Sequence, residues 1–74
     1  MEIQKFVEYF TEAIDANPVE VNENLVFKNH PQWDSMAVLS VIAMVDEYYS
    51  RVLTGEEIES SKTVRDLFAI VTSK

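Results

Sequence analysis

The sequence predicts an all-α protein: a small four-helix bundle with three longer helices, one short helix, and a long loop between the first and second. Three observations predict it. Apolar residues recur at spacings of three and four, which is the period of a helix face. One glycine and two prolines leave few interior breakers. Residues that cap helices stand directly before the apolar runs. At 74 residues and 47% hydrophobic content, positions 1–74 form a single domain with enough apolar material to fold. A folded chain of this mass exposes about 4,700 Å². There is no cysteine, which removes disulfides and thiolate metal sites from consideration.

Ile3, Phe6, Val7, Phe10 and Ile14 mark an amphipathic first helix from Glu2 to Asp15. Asn17-Pro18 ends it, because the residue before proline avoids helical geometry. The loop then runs from Pro18 to Asp34. Val19, Val21, Leu25, Val26 and Phe27 make it too apolar for a free linker, so it is expected to lie on the core, with a short strand around Leu25–Phe27 as one option. Asp34 caps a second helix from Ser35 to Tyr49 or Arg51. Its inward stripe is read as Val38, Leu39, Ile42, Val45 and Tyr49, with Met36, Ser40, Met44 and Glu47 on another face. Met44 can either fill a gap in the core or join an adaptable outer surface. Thr54 or Gly55 opens a short third helix, where Glu56 and Glu57 sit favourably at the positive end. Thr63 caps the last helix, with Asp66 three residues on as a variant of the capping box and Val64, Leu67, Phe68 and Val71 facing inward.

Thirteen acids against six bases give a net charge of −7. That argues against nucleic-acid binding, which requires clustered Lys and Arg, and favours basic protein partners drawn by long-range attraction. The start of the chain lacks the pattern of a signal peptide. The apolar run Met36–Val45 is half the length of a membrane span. The expectation is a monomeric, soluble, cytoplasmic protein that stands alone, between Met1 and a short tail at Lys74.

Several chemistries drop out. His30 is the only histidine and reads as a surface residue, not a metal ligand. A Ser35–His30 nucleophilic pair lacks a third orienting group and an oxyanion pocket. Glu56 and Glu57 are neighbours on a helix, so they point apart and read as solvated charge. What remains is Trp33-Asp34-Ser35-Met36. A serine in the first turn of a helix lies beside unpaired amide N–H groups, where an anion is favoured. Capping alone also explains Asp-Ser at a helix start.

The order of these pieces adds to that local reading. An amphipathic helix, a long loop, Asp34-Ser35-Met36 opening an apolar helix, then Gly55-Glu56-Glu57-Ile58 and Lys62-Thr63-Val64-Arg65-Asp66-Leu67-Phe68 together resemble the acyl carrier protein family, over Ile3 to Val71. The resemblance implies phosphopantetheine attached to Ser35 beside Asp34, with acyl groups carried as thioesters and no catalysis by the chain itself. It implies that the second helix meets basic docking patches on a phosphopantetheinyl transferase and on ligases, synthases and transferases. The positions concerned are Asp34, Met36, Ala37, Leu39, Ser40, Ala43, Asp46 and Glu47. It also implies an acyl-chain pocket among Val38, Ile42, Leu53, Ile58, Val64, Phe68 and Val71.

The chain departs from the family pattern in places. Met36 replaces the usual leucine, Ala37 and Ser40 stand where fatty-acid carriers have acids, and Trp33 replaces a small or aliphatic residue. These changes favour a dedicated fatty-acid, polyketide or related pathway over housekeeping. Other readings stay open. One is a D-alanyl or other aminoacyl carrier, since D-alanyl carriers share Asp-Ser-Met whereas the Gly-Gly-x-Ser of peptidyl carriers is missing. Another is an unmodified helical interaction module using Met36, Met44 and the acids, and the last is a small hydrolase built on Ser35.

Overall fold

A computed structural model describes residues 2–73. It is all-α, with no strand among the described residues: α1 (Glu2–Ala13), α2 (Ser35–Tyr49), α3 (Gly55–Ser60) and α4 (Val64–Thr72). The exposed area is 4799 Å², close to that expected for the mass.

α1 buries Phe6 and Phe10, and Ile14, just past its end, is buried with them. The helix ends earlier than the proline signal predicts. The N–H of Asp15 donates to the Glu12 carbonyl and that of Ala16 to Thr11, with Asp15 at φ 56°. These are the paired bonds of a Schellman close, and they stop the helix at Ala13 before Pro18 can act. α2 likewise stops at Tyr49, because Ser50 turns left-handed at φ 53° while its N–H still reaches the Asp46 carbonyl.

The inward face of α2 differs from the predicted stripe. Ala37, Val41, Met44 and Val45 are buried, Val38, Ile42 and Tyr49 are half-buried, and Leu39 is 63% exposed. The helix is apolar on nearly every side, so its own pattern does not choose a face. Packing against α1 chooses it. Met44 accordingly belongs to the core, while Met36 stands 70% exposed.

An aromatic chain runs through the centre. Phe6 lies 5.3 Å from Phe68 of α4 and 5.7 Å from Tyr49 of α2. Phe10 continues it to Phe27 at 5.5 Å, and Phe27 to Trp33 at 4.8 Å. Trp33 is thereby fixed just before α2 begins.

The long loop packs down through Val21, Leu25 and Phe27, but Val19 (87%) and Val26 (44%) stay exposed, and the Leu25–Phe27 segment forms no strand. Its backbone serves α4 instead. The N–H groups of Val64 and Arg65 donate to the carbonyls of Leu25 (3.1 Å) and Glu23 (2.8 Å). Two short 3-10 turns, Pro18–Glu20 and Phe27–Asn29, shape the rest. His30 is not a plain surface residue. Its side chain is 6% exposed, with Nε2 2.9 Å from Glu20 and Nδ1 accepting the Gln32 N–H. That second bond leaves Nδ1 without a proton, so the neutral ring carries its proton on Nε2 and donates it to Glu20. Loop contacts that no local pattern encodes cover this ring.

Both later helices start with complete capping boxes, Thr54 with Glu57 and Thr63 with Asp66. The Asp66 carboxylate accepts N–H bonds from Lys62 and Thr63, which hold its pKa below the ordinary value of 3.8. A depressed folded-state value stabilises the fold above the unfolded pKa, and that contribution disappears as pH falls through the folded value. Melting curves between pH 7 and pH 2 are therefore expected to fall less steeply at the acid end for Asp66→Asn than for the parent chain. Parallel curves would contradict this.

Candidate functional site: the start of the second helix

Ser35 is exposed and is the first residue of α2. Asp34 precedes it in extended conformation and caps the helix, its Oδ1 accepting the Ala37 N–H at 2.8 Å and its carbonyl the Val38 N–H at 3.0 Å. The Ser35 and Met36 N–H groups have no acceptor among the described residues, as helix geometry requires of a first turn. The start of α4 differs, because the loop carbonyls satisfy its first two amides. The beginning of α2 thus combines an accessible hydroxyl with two open donors at the positive end of a 15-residue helix.

Residues flanking Ser35 in the sequence line two concavities. On one side, Trp33, Val38, Gly55, Glu56, Ile58, Glu59 and Ser60 line an open groove of about 580 Å³ between α2 and α3. Trp33, Val38 and Ile58 supply its apolar surface, and Glu56 and Glu59 its acids. On the other side, Asp34, Met36, Ala37 and Ser40 face the end of α1 and Gln32 across a smaller opening of about 240 Å³.

The expected site residues fall into distinct places. Asp34, Met36, Leu39, Ala43, Asp46 and Glu47 are exposed along α2, and Ser40 is half-buried. Spacings of three and four put Met36, Leu39, Ser40, Ala43, Asp46 and Glu47 on one outward face, apolar at its start and acidic at its end. Ala37 is an exception: it is only 4% exposed, because it packs toward α1, and it presents nothing to a partner. Of the pocket residues, Val38 and Ile58 line the groove beside Ser35. Ile42 and Phe68 are half-buried, Phe68 against Phe6, whereas Leu53, Val64 and Val71 are closed into the core. The groove's acidic rim went unread in the sequence, although Glu56 and Glu59 lie three apart on α3 and so share a face.

Among the described residues, no helix is long and apolar enough to cross a membrane. Compared with protein-family models and with curated proteins, the chain matches none.

Proposed function

We propose that this chain is a carrier protein of the acyl carrier family, holding acyl intermediates as thioesters on a phosphopantetheine arm attached to Ser35. The observation that carries the reading is the exposed Ser35 hydroxyl at the start of α2, beside two open amides and an apolar groove. The fit is chemical. A phosphodiester on Ser35 Oγ would lie against the Ser35 and Met36 N–H groups, in the favourable field of the helix. Asp34, engaged in capping, holds that first turn in place. When bound, the group supplies a terminal thiol on which cargo is carried.

The chain itself does no catalysis on this reading. It tethers a reactive group and so raises its local concentration at each enzyme visited. The outward face of α2, with Met36 and Leu39 followed by Asp46 and Glu47, suits basic patches on a phosphopantetheinyl transferase, ligases, synthases and acyltransferases in the cytoplasm. Ala37 and Ser40 reduce the charge in the first half of that face, which favours a dedicated biosynthetic pathway. A second reading, an aminoacyl carrier, is favoured by Glu56 and Glu59 on the rim of the groove, where an ammonium group would be attracted.

Coexpression with a broad-specificity phosphopantetheinyl transferase is expected to add one phosphopantetheinyl group to the intact mass, and Ser35→Ala to abolish the addition. Unmodified wild-type protein across several such transferases would overturn the proposal. Loading of the modified chain by acyl ligases or by amino-acid-adenylating ligases then separates the two cargo classes.

A further inference from the structure

We propose that His30 is an acid-sensitive clasp on the turn that leads the chain into α2: neutral, it closes the turn, and once protonated it releases Gln32. His30–Trp33 form a reverse turn, in which the Trp33 N–H donates to the His30 carbonyl at 2.9 Å. Pro31 takes the second position, where the fixed φ of proline is favoured. Inside the turn the Gln32 N–H donates to His30 Nδ1 at 3.1 Å. The turn is also tied outward. His30 Nε2 lies 2.9 Å from Glu20 of the first 3-10 turn, and the Gln32 side-chain N–H donates to the Asp15 carbonyl, just past α1, at 2.9 Å. Asp34 and Ser35 follow directly, so this turn sets the path by which the chain reaches the start of α2.

The two ring nitrogens respond to acid in opposite ways. A proton added to Nδ1 removes the lone pair that receives the Gln32 N–H and sets two donors against each other. The same charge draws the Nε2–H more firmly to Glu20. The ring therefore stays seated on the Glu20 side and the break falls on Gln32, whose tie to Asp15 slackens with it. The His30 side chain is 6% exposed, so the new Nδ1–H reaches water only if Gln32 moves aside. Other charged groups around the turn are engaged or face solvent. Lys28 donates to the Glu59 carbonyl, the Asp34 carboxylate accepts the Ala37 N–H, and Glu12 and Asp15 are exposed. Glu20 is thus the one charged side chain bonded to the ring among the described residues. The clasp works whether or not Ser35 carries a group.

The test follows the ¹⁵N-labelled full chain by NMR from pH 8 to pH 5. The chain has one histidine and no cysteine, so a ring response in that range is read without overlap. At pH 8 the ring nitrogens are expected to report a proton on Nε2 and none on Nδ1. On acidification the Gln32 amide is expected to follow the same curve as the ring. Its exchange with water should become faster by about threefold or more, after correction for the intrinsic effect of pH. The Ala37 amide, held by Asp34, should not follow. His30→Asn offers an oxygen acceptor at the same two-residue reach without a titrating ring, so its Gln32 amide should stay protected throughout. In His30→Ala that amide should be open throughout. A neutral ring protonated on Nδ1 would overturn the proposal. So would a Gln32 amide indifferent to ring protonation, or a His30→Asn chain that keeps the pH response.

Discussion

Phe6→Ala is expected to lower the melting temperature by about 12–40 °C, enough to leave much of the chain unfolded at room temperature. Truncating a buried phenylalanine costs about 3–5 kcal/mol, through lost transfer energy and the cavity left behind. Each kcal/mol moves the midpoint of a 60–100-residue domain by about 4–8 °C. Total stability for a chain of this length is only about 4–11 kcal/mol, and no disulfide supplements it. Phe6 is fully buried and meets Phe10, Tyr49 and Phe68, so the cavity would open where α1, α2 and α4 converge. Thermal melting followed by circular dichroism decides the matter. A fall of less than about 5 °C would mean that the aromatic chain is not the stabilising axis.

Trp33→Ala is expected to separate stability from modification. Trp33 is half-buried, parallel to Phe10 at 6.1 Å and edge-on to Phe27 at 4.8 Å. Its truncation should cost about 1.5–2.5 kcal/mol, half the figure for a fully buried aromatic, which corresponds to a midpoint about 6–20 °C lower. The Ser35 hydroxyl depends on a different contact, the Asp34 cap on the Ala37 amide. Below the lowered midpoint, the variant should still accept the phosphopantetheinyl group at a rate close to that of the parent. Melting curves and intact-mass time courses on the same preparation give both readings. Failure of modification in a folded Trp33→Ala chain would show that the groove wall itself, and not the capped helix start, presents the serine.

The features legible in the sequence are those set within four or five residues. Thr54, Thr63 and Asp34 each cap the helix that follows, and each bond is made between near neighbours. The faces of α2 were not legible, because a helix apolar all round carries no orientation; only its crossing with α1 sends Ala37 and Met44 inward and leaves Leu39 outside. The early close of α1 at Asp15 was not legible either, because a left-handed aspartate gives a weaker local signal than a proline. His30 is covered by partners ten residues back and two ahead, an arrangement set by the folded loop. The same holds for the candidate site. Ser35 and its cap are local and could be read directly, whereas the groove needs α3 brought against α2.

The carbonyls of Glu23 and Leu25 that receive the first amides of α4 make two distant stretches of chain interdependent. The last helix cannot complete its first turn until the long connection has settled into its final path, so both must condense in one step across a wide gap in sequence. A residue inserted or deleted between Asn17 and Glu23 would shift those acceptors out of register, and its damage would surface at the far end of the molecule. The segment that looks most tolerant of length change is thus among the least free to vary.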